Sequence, residues 1–405
     1  MTDSTNAVLP LAGVTVIEVS SFVASPLCGL TLNQLGAQVI RIDPIGGAAD
    51  TQRWPVADNG TSIYWTGLNK GKRSVALDLR SPHGQELVRR LIVESDGIVV
   101  TNSVFPWMSH EVLVARRPDL IHVQLLGRGD GSTGVDYTVN AAIGFPFATG
   151  PVDHDGPINH VLPAWDVACG LYAALAVMAA LRRRESAGVG SRVTLALEDV
   201  ALATAGTLGF LTEPQINGEQ RERLGNDLYG QYGRDFTSSD GARFMIVTLT
   251  KRHVRDIVAV TGTEAAVTAL EHALGVDFGD EGDRYRYREV LSGLFAAWFA
   301  EHTAAEITAA LTGTSVLFER YRTFAEAAQS PSVTANALFA PLHQPRLGDY
   351  LAPGHPAAFD GVHARNTAAP ALGQDTVEVL TDLLGLTPTD ISDLANASTI
   401  GKETP

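Results

Sequence analysis

The sequence predicts an α/β protein: a large domain with a Rossmann-like open parallel sheet and a second, smaller α+β domain. Short β-branched runs alternate with amphipathic helical segments over the first 130 residues, which is typical of such a sheet. After residue 150 the pattern changes to apolar helices, a strand pair and a mainly helical stretch. With 405 residues, 45% of them hydrophobic, the chain can bury the cores of two or three domains.

The first βαβ unit opens the predicted sheet. Residues 14–19 (VTVIEV) form a buried strand. The segment SSFVASP then starts a helix, with Ser25 as N-cap and Pro26 in the first turn, and Gly36 ends it. Residues 39–42 form the second strand, which is parallel to the first because a right-handed crossover is the rule for this unit.

The same alternation continues to residue 131. The predicted elements are a strand over 74–79, a helix over 82–94, a strand over 97–100 and a strand over 120–126. The turn that follows, GRGDG at 127–131, lacks the spacing G-x-G-x-x-G, and the first βα turn contains no glycine. A dinucleotide bound through its pyrophosphate is therefore not expected.

The second half is predicted with fewer strands. Asp166 precedes an apolar helix over 167–181, and a further helix covers about 195–211. A strand pair surrounds the turn 239–241, residues 252–328 are mainly helical, residues 340–370 form a long connection, and a last helix covers about 375–384.

The composition excludes several classes of protein. Thirty basic and 45 acidic residues give a formal net charge of −15, which argues against a general nucleic-acid binder but leaves room for a local anion site. Cys28 and Cys169 lie in apolar helical patterns and are expected to be buried thiols, and no cluster has the spacing of a metal site. The N-terminal residues lack a signal segment, and the apolar run over 167–181 is shorter than the roughly 18–20 residues of a membrane span. A cytoplasmic protein with no membrane partner is expected.

Asp166 is the first candidate for chemistry. An Asp before an apolar helix is typical of an N-cap that accepts backbone N–H groups. The same carboxylate, held at the positive end of a helix and partly desolvated, can attack an acyl carbon such as that of a thioester. The pattern alone does not choose between the two roles.

Two loops leave similar alternatives open. The segment LNKGKRS, residues 68–74, places three cations around a glycine and suits phosphate groups, or it is a solvated basic loop. The segment GNDLYGQYG contains Gly225, Gly230 and Gly233, which fit either a plain hairpin or a mobile lid over a pocket.

Several blocks in order resemble the class III CoA transferases. The opening LAGVTVIEVSSFVASPLCGLTLNQLGAQVIRIDPIGG, then LNKGKRSVALDLRSPHGQELVRRL, GNDLYGQYGRDFTSSDGARFMIV and PALGQDTVEVLTDLLGL match successive blocks of that family and together cover nearly the whole chain. Asp166, ahead of a helix rich in Gly and Ala, falls where the family has its catalytic aspartate.

Within the family, segments such as RWPVADNG, VDYTVN and NHVLPAWD look most like one branch. Its members move CoA between the C1 and C4 carboxyl groups of one mesaconyl unit. The resemblance thus implies intramolecular CoA transfer through an aspartyl anhydride and an aspartyl-CoA thioester. The alternative is ordinary transfer of CoA between two different carboxylic acids.

Two departures from the family bear on this expectation. The racemases of the family carry a histidine immediately before the aspartate aligned with Asp136, whereas this chain has Val135, so proton exchange at an α-carbon lacks a pair of groups. His110 stands where the family often has a basic residue that holds a CoA phosphate.

Arg128 and Arg234 are the candidates for binding the remote carboxylate of the substrate.

The resemblance also implies an architecture and a binding site. It implies an interlocked, ring-like homodimer, with a large domain from residues 1–200 and 331–405, a linking helical region over 201–224 and a small domain over 225–330. No permanently bound cofactor is implied, since CoA enters as part of the substrate, an acyl-CoA thioester of a small dicarboxylic acid. The positions matched to CoA contacts are Val23, Ala24, Arg41, Leu68, Asn69, Lys70, Gly71, Lys72, Asn102, Ser103, Val104, Asp136 and Tyr137.

Overall fold

A computed structural model of the protein describes residues 9–401. The N-terminal segment that was judged not to be a signal peptide therefore lies partly outside the described residues. A six-stranded sheet forms the centre of the protein, and every neighbouring pair of strands in it is parallel. The strands are β1 (Thr15–Val19), β2 (Gln38–Pro44), β3 (Arg73–Leu77), β4 (Ile98–Thr101), β5 (Ile121–Leu126) and β6 (Ser191–Ala196), in the spatial order β3-β2-β1-β4-β5-β6.

This sheet confirms the predicted fold class. Strands β1 to β5 lie within two residues of their predicted bounds because they are continuous buried β-branched runs. Strand β6 was missed, since its residues were assigned partly to a helix over 195–211. It pairs with one neighbour, β5, and alternates between half-buried and exposed positions, with only its last residue buried, so its apolar pattern is weak.

Helices cover both faces of the sheet. The helix predicted over 82–94 has those bounds, and its face of Leu87, Val88, Leu91 and Ile92 is buried in the core. The first nine helices along the chain are α1 (Ala24–Gln34), α2 (Ile63–Asn69), α3 (Pro82–Glu94), α4 (His110–Val114), α5 (Asp136–Ala141), α6 (Phe145–Ala148), α7 (Ala164–Ala187), α8 (Leu197–Thr207) and α9 (Thr212–Asn217).

Helix α7 is longer than the predicted apolar run because it begins at Ala164 and continues through the charged residues 182–185 to Ala187. Its length and a mean hydropathy of 1.7 over its most apolar 18 residues would by themselves suit a membrane span. However, 44% of that window is buried where α7 packs against α1, α8 and β5. A core helix meets the same two criteria, so this feature is weak evidence for a membrane.

The chain divides into two compact units. The large unit comprises the described residues up to Ile143, then Val161–Thr212 and the residues from Pro331 onward. The second unit comprises Gly144–His160 and Glu213–Ser330. Residues 144–160 had been assigned to the large domain. They belong with the second unit, where the Arg223 guanidinium donates to backbone carbonyls of that segment.

The second unit contains an antiparallel sheet and a cluster of helices. The strand pair expected around the turn 239–241 is present as β7 (Tyr232–Thr237) and β8 (Arg243–Thr248), and β9 (Leu317–Arg320) adds a third strand that was not predicted. Phe236 stacks on Phe299 in the core of this unit. Its remaining helices are α10 (Lys251–Thr261), α11 (Glu264–Leu274), α12 (Glu281–Arg286), α13 (Arg288–Glu301), α14 (Ala304–Leu311) and α15 (Phe324–Gln329).

The C-terminal residues return to the large unit. The stretch expected to be a plain connection contains two short antiparallel strand pairs, and the last predicted helix packs against α3 and β3. These elements are α16 (Pro331–Thr334), β10 (Phe339–Gln344), β11 (Gly348–Pro353), β12 (Ala358–Phe359), β13 (Val362–His363), α17 (Thr376–Leu384) and α18 (Pro388–Asn396).

Candidate active site

The candidate site lies at the carboxyl ends of β1 and β4, inside the large unit. From β1 the strand order runs one way to β2 and the other way to β4, which leaves a crevice where the two directions separate. Ligands of open α/β sheets bind at such a switch point. Two cavities, of about 590 and 470 Å³, flank the loops that follow these strands.

The larger cavity brings Asp166 together with several predicted contact residues from the loops after β1, β4 and β5. Its lining also contains residues to which the sequence analysis gave no role, chiefly Phe22, Arg53 and Tyr64. The predicted residues on its wall are Val23, Ala24, Asn102, Val104, Asp136, Tyr137 and Asp166.

Asp166 is not the N-cap of α7. The helix begins at Ala164, so Asp166 is its third residue, and the capping position is occupied by Pro163. The cap is supplied from another helix: Asp136 Oδ2 accepts the backbone N–H of Trp165 at 2.8 Å and of Asp166 at 3.1 Å. The carboxyl group of Asp166 is thereby left without a hydrogen bond or ion pair to any of residues 9–401, and it faces the cavity.

The surroundings of Asp166 raise the pKa of its carboxyl group. Burial raises the pKa of its carboxyl group to about 7, the charge of Asp136 adds to that rise, and Arg53 opposes it. Asp136 itself is buried, and its Oδ1 has no partner in the described part of the chain. Two carboxyl groups close together with one cation are typical of a reactive site rather than of a structural cap.

Arg53 is the cation of this cavity, and the sequence analysis missed it. Its guanidinium carbon lies 5.4 Å from the ring centre of Phe22 and 5.1 Å from that of Tyr64. Phe22 has φ of 65°, an unusual value for a bulky residue, and its N–H donates to Asp50 at 2.9 Å. One signal was available: Arg53 is the single basic residue between Arg41 and Lys70.

The charged groups expected to meet CoA phosphates are largely turned inward. Arg41 Nε lies 3.0 Å from Asp43 and its Nη2 lies 3.0 Å from Asp50, while Lys72 Nζ lies 2.9 Å from Glu18. All five side chains are buried. Burying charges without partners is costly, so these ion pairs stabilise the fold. Contacts of Arg41 and Lys72 with CoA stay a prediction.

The rest of the LNKGKRS segment supports the same network. Asn69 is buried, and its side-chain oxygen accepts from Arg41 at 3.1 Å and from Lys72 at 3.0 Å. Lys70 donates to the carbonyl of Gly67, and burial, followed by the charge of Lys72, lowers its pKa to about 8. Neither cavity is lined by Leu68, Asn69, Lys70, Gly71 or Lys72. The Asn69 and Lys72 side chains therefore support the fold beneath the site, and contacts of this segment with CoA stay a prediction.

The smaller cavity contains Ser103, the remaining predicted residue that reaches a cavity. Residues from the ends of β1, β2 and β3 surround it, and Phe105 closes one side. Arg80, which the sequence analysis did not select, brings an exposed guanidinium to its wall, and no described carboxylate lies within ion-pair distance of it. The smaller cavity therefore has a cation, Arg80, on its wall, whereas the cations of the LNKGKRS segment line neither cavity.

Three other basic candidates are engaged elsewhere. His110 stacks on His122 with ring centres 5.9 Å apart, and burial lowers its pKa, so it does not supply a cation at neutral pH. Arg128 lies 3.2 Å from Glu198. Arg234, in the second unit, lies 2.6 Å from Glu289 and 3.1 Å from Asp227.

The glycine loop and the cysteines have simple structural descriptions. Gly225 and Gly230 adopt positive φ in turns, whereas Gly233 lies in β7, so part of the segment is a strand. Both cysteines are buried free thiols, as expected, and burial, followed by the charge of Asp166, raises the pKa of Cys169 to about 12.

Comparisons with known proteins place the chain in a family. The chain is 47% identical over 394 residues to 2-methylfumaryl-CoA isomerase of Chloroflexus aurantiacus, covering 95% of this chain and 96% of that protein. It is 29% identical over 405 residues to succinyl-CoA–D-citramalate CoA-transferase of the same organism, covering 95% and 96%. A CaiB/BaiF family protein from Brucella suis has the same fold, with a TM-score of 0.77 and 24% identity over 92% of this chain and 99% of that one. The family model for CoA-transferase family III matches residues 11–376, and the chain therefore belongs to that family.

Proposed function

We propose that this protein moves CoA between the C1 and C4 carboxyl groups of mesaconyl-CoA, with Asp166 as the nucleophile. The observation that carries the proposal is the Asp166 carboxyl group, which lies on the cavity wall without a partner among the described residues. The choice of substrate is supported by the 47% identity to 2-methylfumaryl-CoA isomerase over nearly the whole chain.

The first half of the proposed reaction frees the thiol and then the acid. The Asp166 carboxylate attacks the thioester carbon, the C–S bond breaks, and CoA leaves as thiolate with a mixed anhydride on the enzyme. The thiolate then attacks the aspartyl carbonyl of that anhydride. Mesaconate leaves as its carboxylate, and an aspartyl-CoA thioester remains on Asp166.

The second half repeats these steps with the other end of mesaconate. Its second carboxylate attacks the aspartyl thioester, which regenerates the thiolate and gives a new anhydride. The thiolate attacks the mesaconyl carbonyl of this anhydride, and Asp166 returns as carboxylate. No net proton is taken up or released. Splitting the exchange into acyl transfers suits a weak nucleophile that is fixed in position.

We propose that CoA lies across the switch point. Its acyl end would occupy the larger cavity beside Val23, Ala24 and Asp166, and its nucleotide would occupy the smaller one, with Arg80 near a phosphate. Ser103 belongs to the wall of the smaller cavity, and its neighbours Asn102 and Val104 belong to that of the larger. The smaller cavity supports this assignment because it holds a cation without an ion-pair partner in the described chain.

Intramolecular transfer requires that free mesaconate reorients in the pocket faster than it dissociates from the enzyme. We also propose a homodimer, which the family resemblance implied, working in the cytoplasm without a permanently bound cofactor. An exposed apolar stripe of Leu171, Tyr172 and Leu175 on α7 supports the homodimer.

The test is an isotope experiment. Mesaconyl-CoA is incubated with the enzyme and with an excess of labelled free mesaconate, and both thioester isomers are quantified by mass spectrometry. We expect full isomerisation with almost no label in the product. We expect Asp166→Ala to lower the rate by at least about 10³-fold, because the covalent route is lost.

Three outcomes would contradict the proposal. Label entering the product in proportion to its concentration would indicate intermolecular transfer, the alternative that the 29% identity to succinyl-CoA–D-citramalate CoA-transferase favours. Normal turnover by Asp166→Ala would exclude this aspartate as the nucleophile. Binding of mesaconyl-CoA without any exchange would indicate a CoA-binding protein.

A further inference from the structure

The larger cavity contains one basic side chain within the described range, and no acid holds it. Its wall carries two carboxyl groups, Asp136 and Asp166, and the single guanidinium of Arg53. No carboxylate of residues 9–401 lies within 4.0 Å of Arg53, whereas most other arginines of the large unit are in ion pairs. An unpaired cation in a cavity with two acids indicates a missing anion.

The position of Arg53 is fixed by its two aromatic neighbours. Its guanidinium carbon lies over the rings of Phe22 and Tyr64, and these cation–π contacts use none of its N–H groups, which remain available to an anion. Phe22 reaches this position through a backbone of positive φ, fixed by its hydrogen bond to Asp50. An unusual backbone angle that is held in this way is a common feature of binding sites.

A second polar group in the cavity also lacks a partner. The hydroxyl of Tyr64 is buried and makes no hydrogen bond within the described chain. A buried donor without an acceptor costs free energy, and a bound carboxylate would supply that acceptor. Arg53 and Tyr64 together therefore offer charge and hydrogen bonds for one carboxylate.

We propose that Arg53, aided by the Tyr64 hydroxyl, binds the free carboxylate of a dicarboxylic acyl-CoA while the thioester carbon faces Asp166. This inference rests on the proposed function and adds the residue that selects a dicarboxylic acyl group. Arg128 and Arg234, the two earlier candidates, are already engaged by acidic side chains. After mesaconate turns in the pocket, the same guanidinium binds whichever carboxylate is then free.

The experiment compares two thioesters that differ at one group. Mesaconyl-CoA carries a free carboxylate, and 2-methylcrotonyl-CoA has a methyl group in its place. Both can form the Asp166 anhydride, so exchange of labelled free CoA into each thioester reports one acyl transfer and its reversal. The wild-type enzyme is compared with three variants, Arg53→Gln, Arg53→Lys and the control Arg182→Gln. Arg182 is an exposed guanidinium near the opposite end of α7.

We expect Arg53→Gln to lower kcat/KM for mesaconyl-CoA about ten- to hundredfold and to change that for 2-methylcrotonyl-CoA less than twofold. Arg53→Lys should recover part of the loss, since it keeps the charge but not the planar fork. Arg182→Gln should match the wild type with both thioesters. An equal loss with both thioesters, or no loss with mesaconyl-CoA, would overturn the assignment.

A binding measurement separates this inference from the proposed reaction. Calorimetry on Asp166→Ala, with and without Arg53→Gln, gives dissociation constants for both thioesters without any chemistry. A selective loss of mesaconyl-CoA affinity supports Arg53 even if the wild-type enzyme fails to isomerise mesaconyl-CoA. Equal affinities of Asp166→Ala for the two thioesters would overturn the role of Arg53 and leave the proposed function standing.

Discussion

At the scale of single residues, the site depends on two carboxyl groups that are 30 positions apart in the chain. Asp136 binds the first N–H groups of α7 and so performs the capping that the sequence pattern had offered to Asp166. The local pattern made Asp166 a candidate, because an acid before an apolar helix is recognisable, and the resemblance to the family gave it the role of nucleophile. Arg53 was not predicted, because its role comes from ring contacts with residues 31 positions before it and 11 after it, which no local pattern encodes.

The first prediction at this scale concerns pH. In the proposed mechanism Asp166 must be ionised to attack, and its raised pKa of about 7 means that activity should fall as pH drops through about 7. Asp136→Asn removes a charge that raises this pKa, so the acid limb of the kcat/KM profile should move to lower pH. Asparagine keeps an oxygen that can accept the N–H groups, so the melting temperature should change little.

The measurement is the dependence of kcat/KM for mesaconyl-CoA on pH from 5 to 9. Glu185→Gln removes an exposed acid near the other end of the same helix and should leave the profile in place. If the acid limb of the kcat/KM profile lay at the same pH in Asp136→Asn as in the wild type, Asp136 would not influence the pKa of Asp166.

At the scale of elements, the structure explains which patterns were readable. Buried strands and the helix over 82–94 follow simple periodicities, and their bounds were close to correct. The edge strand β6 and the strands β10 to β13 were missed because short, half-exposed strands have weak apolar patterns. The buried ion pair of the basic segment before β3 could not be read from the local pattern, because Glu18, the acid that pairs with Lys72, lies 54 positions earlier in the chain.

A second prediction concerns the packing of α1 against this charge network. A Cβ added at Gly29 would lie 1.8 Å from a carboxylate oxygen of Glu18 and 3.2 Å from Lys72 Nζ. Gly29→Ala should therefore push apart a buried ion pair and lower the free energy of unfolding by about 3 kcal/mol. Denaturant unfolding of the purified variant gives this value.

Gly206 provides the matched control, since it also lies in a helix but a Cβ there would meet no atom within 4 Å. Gly206→Ala should raise the free energy of unfolding by about 0.5–1 kcal/mol, because alanine is the better helix former. If both variants proved equally stable, the close approach of α1 to Glu18 would be wrong.

At the scale of the whole molecule, the proposed homodimer gives a third prediction. Leu171, Tyr172 and Leu175 are 49%, 51% and 61% exposed and lie on one side of α7, where water-facing apolar groups gain from burial against a second copy. Light scattering after size exclusion should give a mass twice the 43.0 kDa of the chain. Leu175→Glu should shift the protein toward the monomer at micromolar concentration.

Val377→Glu is the control for this change. Val377 is also an exposed apolar side chain, at 46%, but it lies on α17 rather than on the α7 stripe. This variant should keep the mass of the dimer. A wild-type protein that is monomeric at these concentrations, or a dimeric Leu175→Glu variant, would argue against this surface as the contact between copies.

The large unit is assembled from segments at both ends of the chain. The backbone N–H of Ser74 in β3 donates to Asp375, that of Ala76 donates to Thr376, and that of Asp78, just after β3, donates to the carbonyl of Thr399. Residues that leave the ribosome some 300 positions later thus cover one border of the central sheet. Until they emerge, β3 presents an open edge on which a neighbouring nascent chain could pair. The fold itself therefore protects this edge from aggregation only after residues 375–399 have emerged, and until then the protection must come from factors bound to the growing chain.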